Sequence, residues 1–97
     1  MTQPTSCEAI ALDPSDNVAT ALRALEPGAV SVRCGEQISV VTAAEPIPMG
    51  HKLALTALDV GAPIRKYGSV IGLATAAIKP GAHVHVHNLR SRRARAG

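Results

Sequence analysis

The chain has 97 residues, enough for one domain near the lower size limit of a self-sufficient core. Hydrophobic residues make up 46% of it, but they are aliphatic, with a single Tyr and no Phe or Trp. We therefore expect a compact fold of many short strands, or stability borrowed from a partner subunit. The scarcity of aromatic rings argues against nucleic-acid binding by base stacking, and no apolar run approaches the ~20 residues of a membrane-spanning helix.

The net charge of +3 is concentrated at the C-terminus. Removing the four arginines of the last eight residues takes the charge from +3 to −1. A solvated terminus or a strap onto an acidic partner is the simplest interpretation of this basic tail, and nucleic acid is a less favoured one. The N-terminus lacks the pattern of a secretory signal, and Cys7 and Cys34 lack a CxxC spacing. We expect a cytoplasmic, soluble protein with free thiols.

The first half of the chain alternates short apolar runs with turn residues. We predict that residues 1–6 are disordered and that residues 7–12 form the first strand. In residues 18–25 the apolar spacing is that of a short helix, whereas comparison with other segments of the chain favours a strand over 18–22. Residues 29–33 and 37–42 flank Cys34, Gly35 and Glu36, which indicates a hairpin.

The second half continues the same pattern. Residues 43–50 contain two prolines and predict a loop. Strands are expected at 53–58, 64–67 and 70–78, where Gly72 indicates a bulge or a close backbone approach. A turn unit with an apolar end, Gly-Ala and a new extended run recurs at Gly28, Gly61 and Gly81. These repeats favour an all-β domain over residues 7–89, with at most one short helix, followed by a basic tail over 90–97.

The most distinctive segment is 80–89, where His83, His85 and His87 alternate with two valines. An extended backbone would place the three imidazoles on one face. Neutral imidazole is the commonest metal ligand and titrates near neutral pH. Along a strand His83 and His87 would lie roughly 13 Å apart, so we predict that His85 and His87 bind one metal ion and that His83 lies beside it or faces a substrate. A solvated edge strand is the alternative.

Four motifs follow one another at close spacing: Gly50-His51-Lys52, Lys66-Tyr67-Gly68, Gly72-Leu73-Ala74-Thr75 and Gly81-Ala82-His83-Val84-His85-Val86-His87-Asn88-Leu89. In this order they resemble the small SAF-type domain of the altronate and galactarate dehydratase family. They are also similar to the small subunit of sulfolactate sulfo-lyase, its desulfonating branch. Asp16-Asn17-Val18-Ala19 and residues 25–28 match as well, so the resemblance covers nearly the whole chain. It implies a β-clip fold of short strands.

The resemblance also implies a lyase that eliminates water, or sulfite, from a hydroxylated carboxylate. A large catalytic subunit would complete the active site, and it would share a divalent metal: iron(II), or alternatively manganese or magnesium. Elimination requires a base, a partner for the substrate carboxylate, and an acid or metal for the leaving group. The expected roles are catalysis by His51, Lys66 and Tyr67, substrate binding by Lys52, His83 and Asn88, and metal binding by His85 and His87.

Two functions of other classes are open at this point. A carbohydrate-binding SAF module would use the histidine face to grip a sugar or a partner. A metal-chelating structural or regulatory protein would use the same face without catalysis. Self-association of the chain is a further expectation that the sequence leaves open.

Overall fold

The computed structural model describes residues 7–91. The predicted disordered segment 1–6 and residues 92–97 of the basic tail lie outside the described residues. Within the described range every regular element is a strand and no helix forms, which confirms the all-β prediction. The nine strands are β1 (Ala9–Ala11), β2 (Val18–Ala21), β3 (Gly28–Cys34), β4 (Gln37–Ala43), β5 (Lys52–Ala54), β6 (Pro63–Lys66), β7 (Ser69–Ala74), β8 (His83–Val84) and β9 (Leu89–Ser91).

The strands form two sheets. The larger has six strands in the order β4-β3-β1-β2-β5-β8, and the smaller has three in the order β6-β7-β9. All neighbouring strands are antiparallel except β1 and β3, which are parallel. β9 pairs with β7 and ends at Ser91, two residues beyond the predicted end of the domain. In the described part of the chain no helix is long and apolar enough to cross a membrane.

Four short connections each bend around one bridged residue, and we call them arches 1 to 4: residues 22–27, 44–51, 55–62 and 75–82. Arches 2 to 4 also include a turn, whereas arch 1 leads directly into β3. Each contains a buried apolar residue that forms an isolated bridge, between arches 1 and 2 at Leu25 and Ile47 and between arches 3 and 4 at Leu58 and Ile78. Sequence comparison found arches 1, 3 and 4. It predicted arch 2 only as a loop, because there the turn glycine is followed by His51 rather than by alanine.

The arches also explain why two of the predicted strands are too long. The runs 53–58 and 70–78 stop being strands at Ala54 and Ala74, because the chain bends into an arch and buries Leu58 and Ile78 there. The strand over 18–22 and the hairpin of β3 and β4 are confirmed. A Cβ at Gly72 would overlap the Arg90 carbonyl oxygen, which confirms the predicted close approach.

The core consists of two aliphatic clusters, one for each half of the domain. Because all of their buried members are Ala, Val, Leu or Ile, the strands and arches can pack closely without aromatic side chains. The first cluster contains Ala9, Ala11, Ala19, Ala21, Leu25, Val30, Val32, Ala43, Ile47 and Leu53. The second contains Val18, Ala54, Leu58, Ile64, Ala74, Ile78, Ala82 and Val84.

Candidate metal and substrate site

The predicted histidine strand is wrong in length: β8 contains only His83 and Val84, and residues 85–88 form a turn. The side chain of Asn88 explains the early end of the strand. Its Oδ1 accepts a hydrogen bond from the His85 N–H at 3.0 Å, and its Nδ2 donates to the His83 carbonyl at 2.9 Å. The turn brings the ring centroids of His83 and His87 to 4.9 Å, far below the ~13 Å of an extended strand.

A third ring comes from arch 2. His51 immediately precedes β5, whose pairing with β8 places Leu53 opposite His83. His51 Nδ1 lies 2.8 Å from His83 Nε2, and the rings of His51 and His85 stack with centroids 3.6 Å apart. One nitrogen from each of the three rings lies within 4.8 Å of the other two. We call His51, His83 and His85 the histidine cluster.

The histidine cluster differs from the pair that we predicted as metal ligands. His85 is a member, but His87 is not: its exposed ring is tilted by 38° against His83. His51, predicted as a proton carrier, occupies the third position instead. Only the pairing of two strands distant in sequence brings residues 51 and 83 together, so no local pattern could have grouped them.

The surroundings of His83 and His85 favour the neutral form of their imidazoles. Burial lowers the pKa of His83, and the positive charges of His87 and His51 lower it further. The pKa of His85 is lowered by burial and then by the charges of His51 and Lys52. A neutral imidazole can bind a metal through the lone pair of a ring nitrogen, whereas imidazolium has no free lone pair for this. The electrostatics therefore suit a ligand site.

One atom of the histidine cluster lacks a partner. His85 Nδ1 is buried and makes no hydrogen bond within the described part of the chain. A buried polar atom without a partner is costly, and a metal ion or a group from another polypeptide would satisfy it. Three imidazoles are also a common donor set for a divalent metal that keeps an open position. The rings of His51 and His85 are nearly parallel, with 12° between their planes. The two rings must therefore rotate slightly before their nitrogens point at the same ion.

Two lysines and the tyrosine extend the site. Burial lowers the pKa of the half-buried Lys52, and the charge of Lys66 lowers it further. The Lys66 Nζ lies 4.9 Å from the centroid of the Tyr67 ring, within the range of a cation–π contact. Tyr67 is 44% exposed, so it does not fill a gap in the core. The charge of Lys66 acts on Lys52, and the charge of Lys52 acts on His85. The two lysines therefore place positive charge beside the histidine cluster.

The Tyr67–Gly68 turn has an anchor that sequence analysis matched to the family but gave no role. Both residues have positive φ, 55° and 81°, as in a type I′ hairpin turn. The Asp16 carboxylate accepts hydrogen bonds from their N–H groups at 2.9 and 2.8 Å, and from the N–H groups of Leu12 and Asp13. Asp16 is the one buried charged side chain among residues 7–91. It fixes Lys66 and Tyr67 relative to the six-stranded sheet.

Other predicted and unpredicted residues lie beside the histidine cluster. Both polar groups of the Asn88 amide are bonded to the backbone, so this side chain holds the turn, and Asn88 also lines the groove beside His83. The Glu45 carboxylate, which sequence analysis missed, accepts a hydrogen bond from the His83 N–H at 2.9 Å. Glu45 and His83 line a groove of about 460 Å³ together with Asp59 and Lys79. The groove offers polar groups next to the cluster.

Comparison with known proteins defines the class of this chain. The altronate/galactarate dehydratase SAF domain family matches residues 7–92. The chain belongs to this family, and its all-β fold agrees with the β-clip that the motifs implied.

Individual relatives come from both branches. The chain is 46% identical to altronate dehydratase of Escherichia coli (strain K12) over 76 residues, which are 78% of this chain and 15% of that protein. It is 38% identical to altronate dehydratase of Bacillus subtilis (strain 168) over 82 residues, 84% of this chain and 16% of that protein. It is 43% identical to (2R)-sulfolactate sulfo-lyase subunit alpha of Paracoccus pantotrophus over 53 residues, 55% of this chain and 79% of that subunit. The chain thus spans about one sixth of the altronate dehydratases that it matches.

Proposed function

We propose that this chain is the small component of a hydro-lyase that dehydrates a sugar acid of the altronate or galactarate type. It would contribute the histidine cluster to a metal-dependent active site that a larger polypeptide completes. The observation that carries the proposal is the meeting of His51, His83 and His85, with the buried His85 Nδ1 unpartnered within residues 7–91, in a member of a dehydratase family.

The residues of the site suit elimination next to a carboxylate. His51, His83 and His85 would hold a divalent metal such as iron(II), which would act as a Lewis acid when bound. Lys52 and Lys66 would bind the substrate carboxylate, since their positive charges lie in one region.

Tyr67 and His87 would supply the hydrogen-bond donor and the proton carrier of this site. Tyr67 is an exposed side chain, and its hydroxyl would donate a hydrogen bond to the substrate. His87 is exposed beside His83 and would carry a proton to or from solvent.

The need for a larger partner follows from what this domain offers. The histidine cluster lies at the β8 edge of the six-stranded sheet, with Lys52 on the neighbouring β5 and Lys66 on β6 of the other sheet, and no enclosing cavity surrounds these groups. The altronate dehydratases that the chain matches have about six times the length of the matched segment. We propose that a polypeptide corresponding to the rest of those proteins covers the site and supplies further catalytic groups.

The sulfo-lyase branch supports a second candidate function. The chain covers 79% of the Paracoccus subunit alpha, so a separate chain of this type exists in that branch. In this case the site would eliminate sulfite from a sulfonated hydroxy acid rather than water from a sugar acid. The same residues would act, since both reactions begin beside a carboxylate.

The test is a reconstituted assay. The chain is purified from its native host together with any bound larger polypeptide, and the complex is assayed with iron(II) and altronate, galactarate or sulfolactate. We expect elimination of water from a sugar acid by the complex, none by the chain alone, and a large loss of turnover for His85→Ala. Val60→Lys, an exposed change in arch 3, serves as the control and should leave turnover unchanged.

Two results would contradict the proposal. A complex that eliminates neither water nor sulfite under these conditions would exclude both lyase functions. Release of sulfite from sulfolactate, with no activity on the sugar acids, would replace the first candidate by the second.

A further inference from the structure

The outer edge of β4 is the feature from which we draw a further inference. β4 is the last strand of the six-stranded sheet and pairs only with β3. Its seven residues, Gln37–Ala43, include no charge, no proline and no glycine. Natural sheets protect such edges with charged residues, proline, bulges or short strands. β4 has none of these protections.

The other sheet edges in residues 7–91 are protected. β8 is two residues long. β6 begins with Pro63 and carries Arg65 and Lys66, and β9 carries Arg90. The exposed apolar edge of β4 is therefore specific to this strand rather than a general property of the fold.

The hairpin register shows which backbone groups are open. Cys34 pairs with Gln37 across the two-residue turn, and the pairing continues as Val32 with Ser39 and Val30 with Val41. In an antiparallel ladder closed in this way, these residues bond inward, and the alternating residues point outward. The N–H and C=O groups of Ile38 and Val40 thus face the open edge.

The far end of the same edge is closed. A side chain at Gly81 would overlap the Thr42 carbonyl oxygen, and the Ala44 N–H donates to the Gly81 carbonyl at 2.8 Å. Arch 4 therefore covers β4 from Thr42 onward. The open part of the edge is limited to residues 37–41.

We propose that a second copy of this chain occupies this edge, with the two β4 strands antiparallel about a two-fold axis at Ser39. Ile38 of each copy then lies opposite Val40 of the other, which gives two hydrogen-bonded pairs and about four hydrogen bonds. The sequence is self-complementary in this register, because apolar meets apolar at both pairs and Ser39 meets Ser39. No charge within β4 opposes the association.

The side chains support the same geometry. Ile38 is 53% exposed and Val40 is 70% exposed, and both lie on one face of the strand. Each would become a cross-strand apolar neighbour of the other copy. The contact is small for a stable interface, so we expect a dimer with a Kd of about 1–100 μM. This inference does not depend on the proposed function.

The test measures the mass of the full chain by sedimentation over a concentration range spanning that Kd, in a chelating buffer that prevents metal-bridged association. We expect a reversible dimer for the wild type. Val40→Lys should give a monomer, because it places charge on both pairs. Val40→Pro should do the same, because it removes an outward N–H and leaves the inward bonds to β3 in place.

Val60→Lys is the matched control. The exposed fraction of Val60, 67%, is similar to the 70% of Val40, but Val60 lies in arch 3 and not on a strand. The Val60→Lys variant should remain a dimer. Circular dichroism checks that each variant is folded. A wild-type chain that stays monomeric throughout the range would overturn the proposal. So would a dimer that survives both Val40 variants, since it would use another surface. A monomeric chain whose larger partner no longer binds after Val40→Lys would assign the edge to that partner instead.

Discussion

The two outer strands of the six-stranded sheet differ in length and chemistry. β4 has seven uncharged residues and begins directly after the two-residue turn of its hairpin with β3. β8 has two residues and ends where Asn88 bonds to the backbone of His83 and His85. The same sheet therefore has one edge suited to pairing with another strand and one edge suited to binding a metal or a substrate. Side-chain bonds to the backbone, rather than strand propensity, decide where β8 ends.

The two edges are not independent, because they meet at Gly81. This residue is in the turn of arch 4, two positions before His83, and lies against the Thr42 carbonyl of β4. The sheet is thus curled so that the end of β4 supports the start of β8. Changes at this contact should affect both edges together, whereas changes within one edge should affect only that edge.

The largest expected effect on stability comes from a substitution at Gly81, where the β4 and β8 edges are in contact. For Gly81→Ala we expect a loss of about 4 kcal/mol or more in the free energy of unfolding, because the new Cβ would overlap backbone atoms in addition to the strain at φ +83°. Gly61→Ala is the control: its φ is +85°, but nothing lies within 4 Å of the new Cβ. It should cost only about 1–2 kcal/mol. Urea unfolding of both variants measures the difference, and equal losses would show that the contact with Thr42 is unimportant.

The fold was readable from the sequence where local chemistry decides the structure. Cys34, Gly35 and Glu36 predicted the hairpin, and the repeated Gly-Ala turns predicted three of the four arches. Arch 2 was missed because His51 stands where the other arches have an alanine. Strand lengths were less predictable, since the apolar runs continue through Leu58 and Ile78 although the backbone bends into arches. Burial in an arch and burial on a strand select the same residue types.

The next prediction tests which histidines near the β8 edge bind a metal. For His85→Ala we expect the affinity of the isolated chain for Co²⁺ or Zn²⁺ to fall about a hundredfold, which is about 2.7 kcal/mol, because one of three donors is removed. For His87→Ala, in the same turn, we expect a loss of less than about tenfold. Calorimetric titration measures the affinities, and the Co²⁺ spectrum reports the ligand set. A greater loss for His87→Ala would favour His85 and His87, the ligand pair predicted from sequence.

A smaller effect concerns the anchor of the second sheet. For Asp16→Asn we expect a loss of about 2 kcal/mol in unfolding free energy at neutral pH, because the amide cannot accept all of the backbone hydrogen bonds. Burial would raise the pKa of Asp16, but the N–H groups of Gly68 and Tyr67 outweigh it and lower the pKa.

The pH dependence of that effect has a definite sign. A folded-state pKa below the unfolded value gives stability that is fully present above about pH 4 and is lost as the pH falls through the folded-state pKa. The difference between wild type and Asp16→Asn should therefore shrink below about pH 4. Asp59→Asn, which removes an exposed carboxylate, controls for the lost charge. A difference that stays constant down to low pH would show that ionised Asp16 does not anchor the turn.

The site was less predictable than the fold. Alternating histidines and valines predict one imidazole face only if the strand continues, and the Asn88 side chain ends it after Val84. The contact of His51 with His83 depends on the pairing of β5 with β8, which no local pattern encodes. Glu45 was missed for the same reason, because it reaches the His83 N–H from arch 2.

The smallest expected effect tests whether Asn88 ends β8 and orders the histidine cluster. For Asn88→Ala we expect a loss of about 1 kcal/mol in unfolding free energy and about tenfold in metal affinity, because the His83–His85 turn loses both side-chain bonds. Asn88→Asp keeps the acceptor for the His85 N–H but cannot donate to the His83 carbonyl, so its metal affinity should lie between those of wild type and Asn88→Ala. Backbone chemical shifts of residues 83–87 would report whether β8 lengthens. If Asn88→Ala left both the shifts and the metal affinity unchanged, the early end of β8 would have to come from the histidines themselves rather than from the amide that bridges them.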